Sequence, residues 1–168
     1  MNLALIEQYK ELHSTSVYGK TSEQDAAMYS KIIKSEGYKS ILDFGCGQSM
    51  LVKNLRAPKV ARYDPAIAEL SKIPDGRFDC VICSDVMEHI LEEDVPEIFE
   101  QIQSKSDDCI FTIHVGEANL SLPDGRNCHV TVKPFSWWLE QIMEYWKEGS
   151  VHRAMNPRFT IIAKGVRS

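Results

Sequence analysis

The chain has 168 residues, 43% of them hydrophobic, which suits one domain with a sizeable core built without disulfide support. Its 24 acidic and 19 basic side chains give a formal charge of −5, so it lacks the basic footprint selected by phosphate backbones and anionic membrane surfaces. The five cysteines are odd in number and three sit in apolar runs, a usage that points to reduced thiols in the cytoplasm.

Glu7 and Lys10 interrupt the apolar start of the chain, which does not read as a signal peptide, and no apolar stretch nears the ~20 residues that span a bilayer. After this mixed segment, Ala26, Ala27, Tyr29, Ile32 and Ile33 recur at near-helical spacing and predict a helix over 23–36, stopped by Gly37. Residues 41–44 then read as a buried strand, 51–55 as a helix closed by Pro58, and 59–64 as a second strand ending in a carboxylate. Pro65 opens a short helical pattern that ends at the Pro74-Asp75-Gly76 turn. A third strand over 78–83 follows so soon that another strand has no room.

The pattern of Ile90, Leu91, Val95, Ile98, Phe99 and Ile102 predicts a helix over 88–105, in which Pro96 could mark a first turn, followed by a strand over 109–115. The polar connection 116–134 is long enough to be a binding loop or lid. Residues 135–146 return to helix, and 151–154 with 158–164 read as a terminal hairpin around Asn156-Pro157. Alternating helices and continuously apolar strands imply an α/β, doubly wound, mainly parallel Rossmann-like sheet of about six strands. Helices cover both of its faces, and the antiparallel hairpin finishes one edge. On such strands Cys80 and Cys83 face opposite ways, so their C-x-x-C spacing argues against a metal or redox pair, and no metal ligands are read from the sequence.

In this order of elements the run Ile41-Leu42-Asp43-Phe44-Gly45-Cys46-Gly47-Gln48-Ser49 carries the most information. Gly45 and Gly47 let a strand turn sharply into a helix and let a nucleoside lie against bare backbone. Asp64, at the end of the next strand, is placed to grip a ribose, and Ser84-Asp85 reaches the same switch point.

These residues resemble the first motif of the class I S-adenosylmethionine-dependent methyltransferases: an apolar pair, an acid, then x-Gly-x-Gly. Tyr63-Asp64-Pro65 and the segment from Phe78 to Ile90, with its Glu88-His89 at the start of a helix, continue the similarity over roughly residues 15–165. The resemblance implies S-adenosyl-L-methionine as cofactor and S-adenosyl-L-homocysteine as product. It implies a cradle for the methionine moiety from the backbone of Asp43, Phe44, Gly45, Cys46 and Gly47, a ribose site at Asp64 and Pro65, and a second wall at Ser84, Asp85, Val86 and His89. The segment 16–22 resembles a lead-in that some members fold over the cofactor, with Tyr18, Gly19 and Lys20 closing on the methionine carboxylate. Its other reading is an exposed loop with Ser22 as helix N-cap. The sequence departs from the family pattern in carrying Ser49 for a third glycine and in lacking room for the usual third strand.

Methyl transfer is an in-line displacement, so placement and exclusion of water dominate its catalysis. For a hydroxyl acceptor the candidate bases are Asp85, Glu88, His89, His114 and His129, with His114, His129 and Asp85 preferred. His114 closes an apolar strand at the ligand end, where a core-edge imidazole satisfied by backbone is the other reading, and His89 also reads as a packing or capping residue. Asp124, Arg126 and Asn127 combine a carboxylate, a guanidinium and an amide that suit a small-molecule or glycan acceptor; an Asp-Gly turn with solvated charges is the alternative. Of Trp137 and Trp138 one packs and the other lines the acceptor pocket, a place assigned to Trp138, whereas Trp146 is expected in the core or packed on a helix surface.

Three rival functions remain. A dinucleotide oxidoreductase would need glycine where Met50 stands. A non-catalytic nucleoside-fold module fits Ser49 and the missing strand. A nucleic-acid methyltransferase is disfavoured by the charge and by the lack of an Asn/Asp-Pro-Pro-Tyr-like run after the third strand.

Overall fold

The computed structural model describes residues 2–15 and 20–167, apart from the Met155 side chain. Six strands form one sheet in the order β2-β1-β3-β4-β6-β5. They are β1 (Ser40–Phe44), β2 (Lys59–Tyr63), β3 (Cys80–Ser84), β4 (Cys109–His114), β5 (Trp146–Met155) and β6 (Arg158–Val166). The first four run parallel, and β6 pairs antiparallel with both β4 and β5. This is the doubly wound sheet with a terminal hairpin expected from the sequence.

The period of two along each strand divides the core between the two faces. Leu42, Val81, Cys83 and Phe111 pack with Ile98, Phe99 and Ile102 of α4 (Val95–Lys105) and with Trp138 and Ile142 of α5 (Phe135–Tyr145). Ile41, Cys80, Ile82 and Ile110 pack on the other face with Tyr29, Ile32 and Ile33 of α2 (Ala26–Glu36) and with Leu51 of α3 (Leu51–Asn54). Cys80 and Cys83 therefore point to opposite faces, and all five cysteines are buried free thiols.

Several boundaries move, for identifiable reasons. The helix expected from Glu88 starts only at Val95, after short 3-10 turns at Met87–His89 and Glu92–Asp94. Pro96 lacks the N–H and clashes with the preceding turn, so it is tolerated near the start of α4 but not nine residues into a helix. Residues 23–25 lie in the 3-10 turn Thr21–Asp25, and α2 ends as expected at Gly37, whose φ of 76° lets its N–H return to Ile33 O. The hairpin is longer than its pattern suggested because β5 is an edge strand, half solvated and without clean alternation. It begins directly after α5 at Trp146, which is buried and donates its indole N–H to Asp107 O at 3.1 Å.

The N-terminal segment is a helix, α1 (Leu3–Thr15), that the sequence reading left undefined. Leu5 and Leu12 pack against Leu122 and Cys128 of the 116–134 connection, making a small third core at the carboxyl ends of the strands. No helix among the described residues is long and apolar enough to cross a membrane.

Candidate active site

Strand order reverses between β2 and β3, on either side of β1, and a cleft opens there beyond the strand ends. Hydrogen bonds fix the turn after β1. Gly45 and Cys46 donate their N–H groups to Tyr63 O at 2.8 and 3.0 Å, and Arg62 Nη2 donates to Gly47 O at 3.0 Å and Ser49 O at 2.8 Å. Asp64 completes the turn by accepting from Gly47 N on one oxygen and from Ala66 N on the other, each at 2.8 Å.

Gly45, at φ 69°, is closely packed: a Cβ there would lie 2.5 and 2.8 Å from the two methyls of Val86. Its bare peptide therefore lets β1 and the β3 turn close on each other, a packing role beyond the ligand approach expected from sequence. Ser49 is fully buried, and its Oγ accepts from Ser22 Oγ at 2.8 Å and from Leu51 N at 3.0 Å. The missing third glycine thus falls in the scaffold, and Ser22 is bonded to Ser49 instead of capping a helix.

The cleft is lined by Gly45, Gly47, Asp64, Pro65 and Ala66 on one side and by Asp85, Val86, His89 and Ile90 on the other. Its roof is α1, through Leu5, Ile6, Tyr9 and His13, with Asn2 just before the helix, none of which the sequence reading singled out. The i, i+4, i+7 spacing of Leu5, Tyr9 and Leu12 was the signal available. Asp43 and Phe44, expected to lend backbone to the cradle, line neither cavity, and their side chains are buried. Phe44 packs on Tyr63, and burial pushes the Asp43 carboxyl up to about 7 despite the Arg62 charge. One Asp43 oxygen has no hydrogen-bond partner among the described residues.

A second cavity adjoins the first and shares Gly45, Asp85 and His89 with it. Cys46, Lys20, Ser84, Glu88, His114, His129 and Arg158 add to its lining. Tyr18 and Gly19, expected beside Lys20, lie outside the described residues. Asp85 has a φ of 54°, a conformation that aspartate tolerates better than most residues, and Arg158 fixes it with two bonds of 2.9 and 2.6 Å. Arg158 also pairs with buried Asp25 at 2.8 Å, as does Arg153. Arg158 thus engages both oxygens of Asp85, while burial raises its carboxyl above the ordinary value.

Three imidazoles stand in a row, His89, His129 and His114, with successive ring centroids 4.8 Å apart. His89 Nδ1 lies 2.8 Å from Cys128 O and His129 Nδ1 lies 2.5 Å from Gly116 O; a carbonyl only accepts, so each Nδ1 carries the proton. Burial keeps both rings neutral, pushing His89 down to about 3, with the neighbouring His129 adding to the effect. His114 Nδ1 lies 3.0 Å from Gly116 O and 3.1 Å from Gly116 N. Glu88 is completely buried; its Oε1 accepts from His114 N at 3.1 Å, and its Oε2 has no hydrogen-bond partner among the described residues. Burial drives its carboxyl well above the usual range, and the Asp85 charge adds to this.

The expected acceptor residues need correction. Asp124 and Arg126 form an exposed Asp-Gly turn closed on itself by bonds of 2.9 and 2.7 Å, and neither lines either cavity. Asn127 is consumed by the loop: its carbonyl accepts from Ala118 N and His129 N, and its amide donates to Ala118 O. Trp138 is wholly buried in the core under the sheet, where an indole of that volume is worth more than at a cavity wall.

The sequence model of the family described as "Methyltransferase domain" matches residues 20–155, and the chain belongs to that family. It is an S-adenosylmethionine-dependent methyltransferase. No curated protein is detectably similar in sequence. Among solved structures, the N-terminal domain of EvdMO1, crystallised with S-adenosylhomocysteine and D-fucose, is similar with a TM-score of 0.61 at 14% identity, covering 98% of this chain and 97% of that one. The DhpI–S-adenosylhomocysteine complex gives 0.64 at 15% identity over 99% and 100% of the two chains. The small RNA methyltransferase HEN1 gives 0.63 at 13% identity, over 85% of this chain and 25% of that one.

Proposed function

We propose that this methyltransferase acts in the cytoplasm, as one catalytic domain, on a small-molecule or glycan hydroxyl held in the second cavity. The observation that carries this reading is the meeting of the two cavities at Gly45, Asp85 and His89, which puts a nucleoside cleft and a polar acceptor cavity side by side. When bound, S-adenosylmethionine supplies an electrophilic methyl on a sulfonium. The residues present fit it: Asp64 offers a carboxylate where ribose hydroxyls would lie, Pro65, Val86 and Ile90 offer apolar plates, and Gly47 brings backbone without a side chain to the cleft wall.

The chain's own work is then placement and proton removal. Arg158 holds Asp85 at the junction, α1 covers the cleft against water, and His114 and His129 are the imidazoles able to take the proton of an acceptor hydroxyl. The acidic balance of the chain and the D-fucose present with EvdMO1 favour a hydroxylated small acceptor over RNA.

Calorimetry with S-adenosylhomocysteine tests the first part: at 100 times Kd the protein should gain about 2.7 kcal/mol of stability. Asp64→Ala should weaken binding by about 1.5–3 kcal/mol, since it removes hydrogen bonds to a charged group. Absence of heat and of thermal shift in the parent protein would overturn the reading. Methyl transfer to oligoribonucleotides but not to sugars or phenols would overturn the acceptor class.

A further inference from the structure

We propose that Glu88, His89 and His129 form a binding site for a divalent first-row transition-metal ion, with its open positions facing the second cavity. The carboxylate oxygen and the two imidazole nitrogens lie within 4.8 Å of one another. An ion about 2.0–2.2 Å from each ligand brings ligand pairs to roughly 3–4 Å, a contraction these side chains reach by small rotations. All three residues line the cavity, so the ion would face space that an oxygen ligand can enter.

The second observation is the orphaned carboxylate oxygen. Glu88 has no exposed surface, yet its Oε2 has no hydrogen-bond partner among the described residues. A buried carboxylate needs either a proton or a cation, and leaving it without one is costly. The imidazoles are also prepared for a metal. The Cys128 and Gly116 carbonyls take their Nδ1 protons, which fixes the tautomer with the Nε2 lone pair. Backbone acceptors of this kind hold and tune metal-bound histidines. Two imidazoles and one carboxylate select zinc, cobalt, iron or manganese over magnesium or calcium, whose preference is for oxygen.

The use of the ion rests on the acceptor site proposed above. An acceptor hydroxyl oxygen would occupy an open position, and with His129 engaged His114 is left to receive the proton. The O–CH₃ bond forms as the CH₃–S bond breaks, the electron pair leaving with sulfur.

Chelator-treated protein titrated with Co²⁺ should bind one equivalent, seen by calorimetry and by visible absorption, with Zn²⁺ competing and Mg²⁺ not. Glu88→Gln copies the shape of a protonated carboxyl and keeps the fold, and His129→Gln changes a loop residue. Each should weaken Co²⁺ binding by about 100-fold or more, beyond the loss expected from a supporting residue. No binding in the parent protein, equal affinity in both variants, or a preference for Mg²⁺ would overturn the proposal. S-adenosylhomocysteine titrated separately distinguishes the two readings, because an ion site without nucleoside binding would sink only the methyltransferase placement.

Discussion

Gly45 links the first strand to the β3 turn through a contact that can be isolated by substitution. In Gly45→Ala the new methyl would sit 2.5 Å from Val86 Cγ2 and 2.8 Å from Cγ1, on a residue with φ 69°. The left-handed backbone costs alanine about 1–2 kcal/mol, and overpacking a buried contact costs about 1–3 kcal/mol. The sum is about 2–5 kcal/mol, a large part of the stability of a domain this size. Val86→Ala removes both clashing methyls at its own cost of about 1–2.5 kcal/mol. In that background Gly45→Ala should cost only its backbone share. The double-mutant cycle therefore yields a coupling of about 1–3 kcal/mol by urea unfolding at pH 7. Equal cost of Gly45→Ala in the two backgrounds would refute the packing argument and return the glycine to ligand approach alone.

Asp43, raised to about 7 by burial, binds its proton in the folded state across a range where the unfolded chain has lost it. Its stabilisation is complete below the unfolded pKa and is lost as pH rises through about 7. Asp43→Asn, locked neutral, should therefore gain on the parent protein by about 1.4 kcal/mol per pH unit between roughly pH 4 and 7; parallel stability–pH curves would contradict this. Arg158→Ala strands half-buried Asp85 and takes one of two guanidinium partners from buried Asp25, leaving it Arg153, and should cost about 3–5 kcal/mol in chemical unfolding. Arg158→Lys should recover little, because an ammonium cannot make the paired bonds to Asp85. Arg126→Ala should leave both the unfolding midpoint and turnover unchanged, and a fall in turnover would move that turn into the acceptor site.

The parallel half of the fold was legible because its signals are local. Apolar runs of strand length, Gly37 after a helical pattern and Pro65 after a strand each act within a few residues. The elements read wrongly depend on distant partners. Edge strand β5 is specified by its pairing with β6 and by Trp146 meeting Asp107, 39 residues away. Helix α1 finds its apolar partners at Leu122 and Cys128, more than 100 residues along the chain. Pro96 was the exception, a local signal whose veto on a helix from Glu88 was available in the sequence.

The site divides along the same line. Gly45, Gly47, Asp64 and Asp85 could be placed at one cleft from the sequence because strand ends converge in any sheet of this topology, whatever the side chains elsewhere. The acceptor side depends on how the 116–134 connection closes, and composition misled there. Asp124, Arg126 and Asn127 have the right chemistry but satisfy one another and the loop backbone, so nothing remains for a ligand. By spending Asn127 on Ala118 N and His129 N, the loop instead delivers His129 to within 4.8 Å of His89 and His114. That imidazole row, with Glu88 beneath it, is the part of the site that depends most on long-range folding. On the proposed function it is also where substrate choice would be decided, since the cleft residues read from the sequence belong to the motif shared with the family.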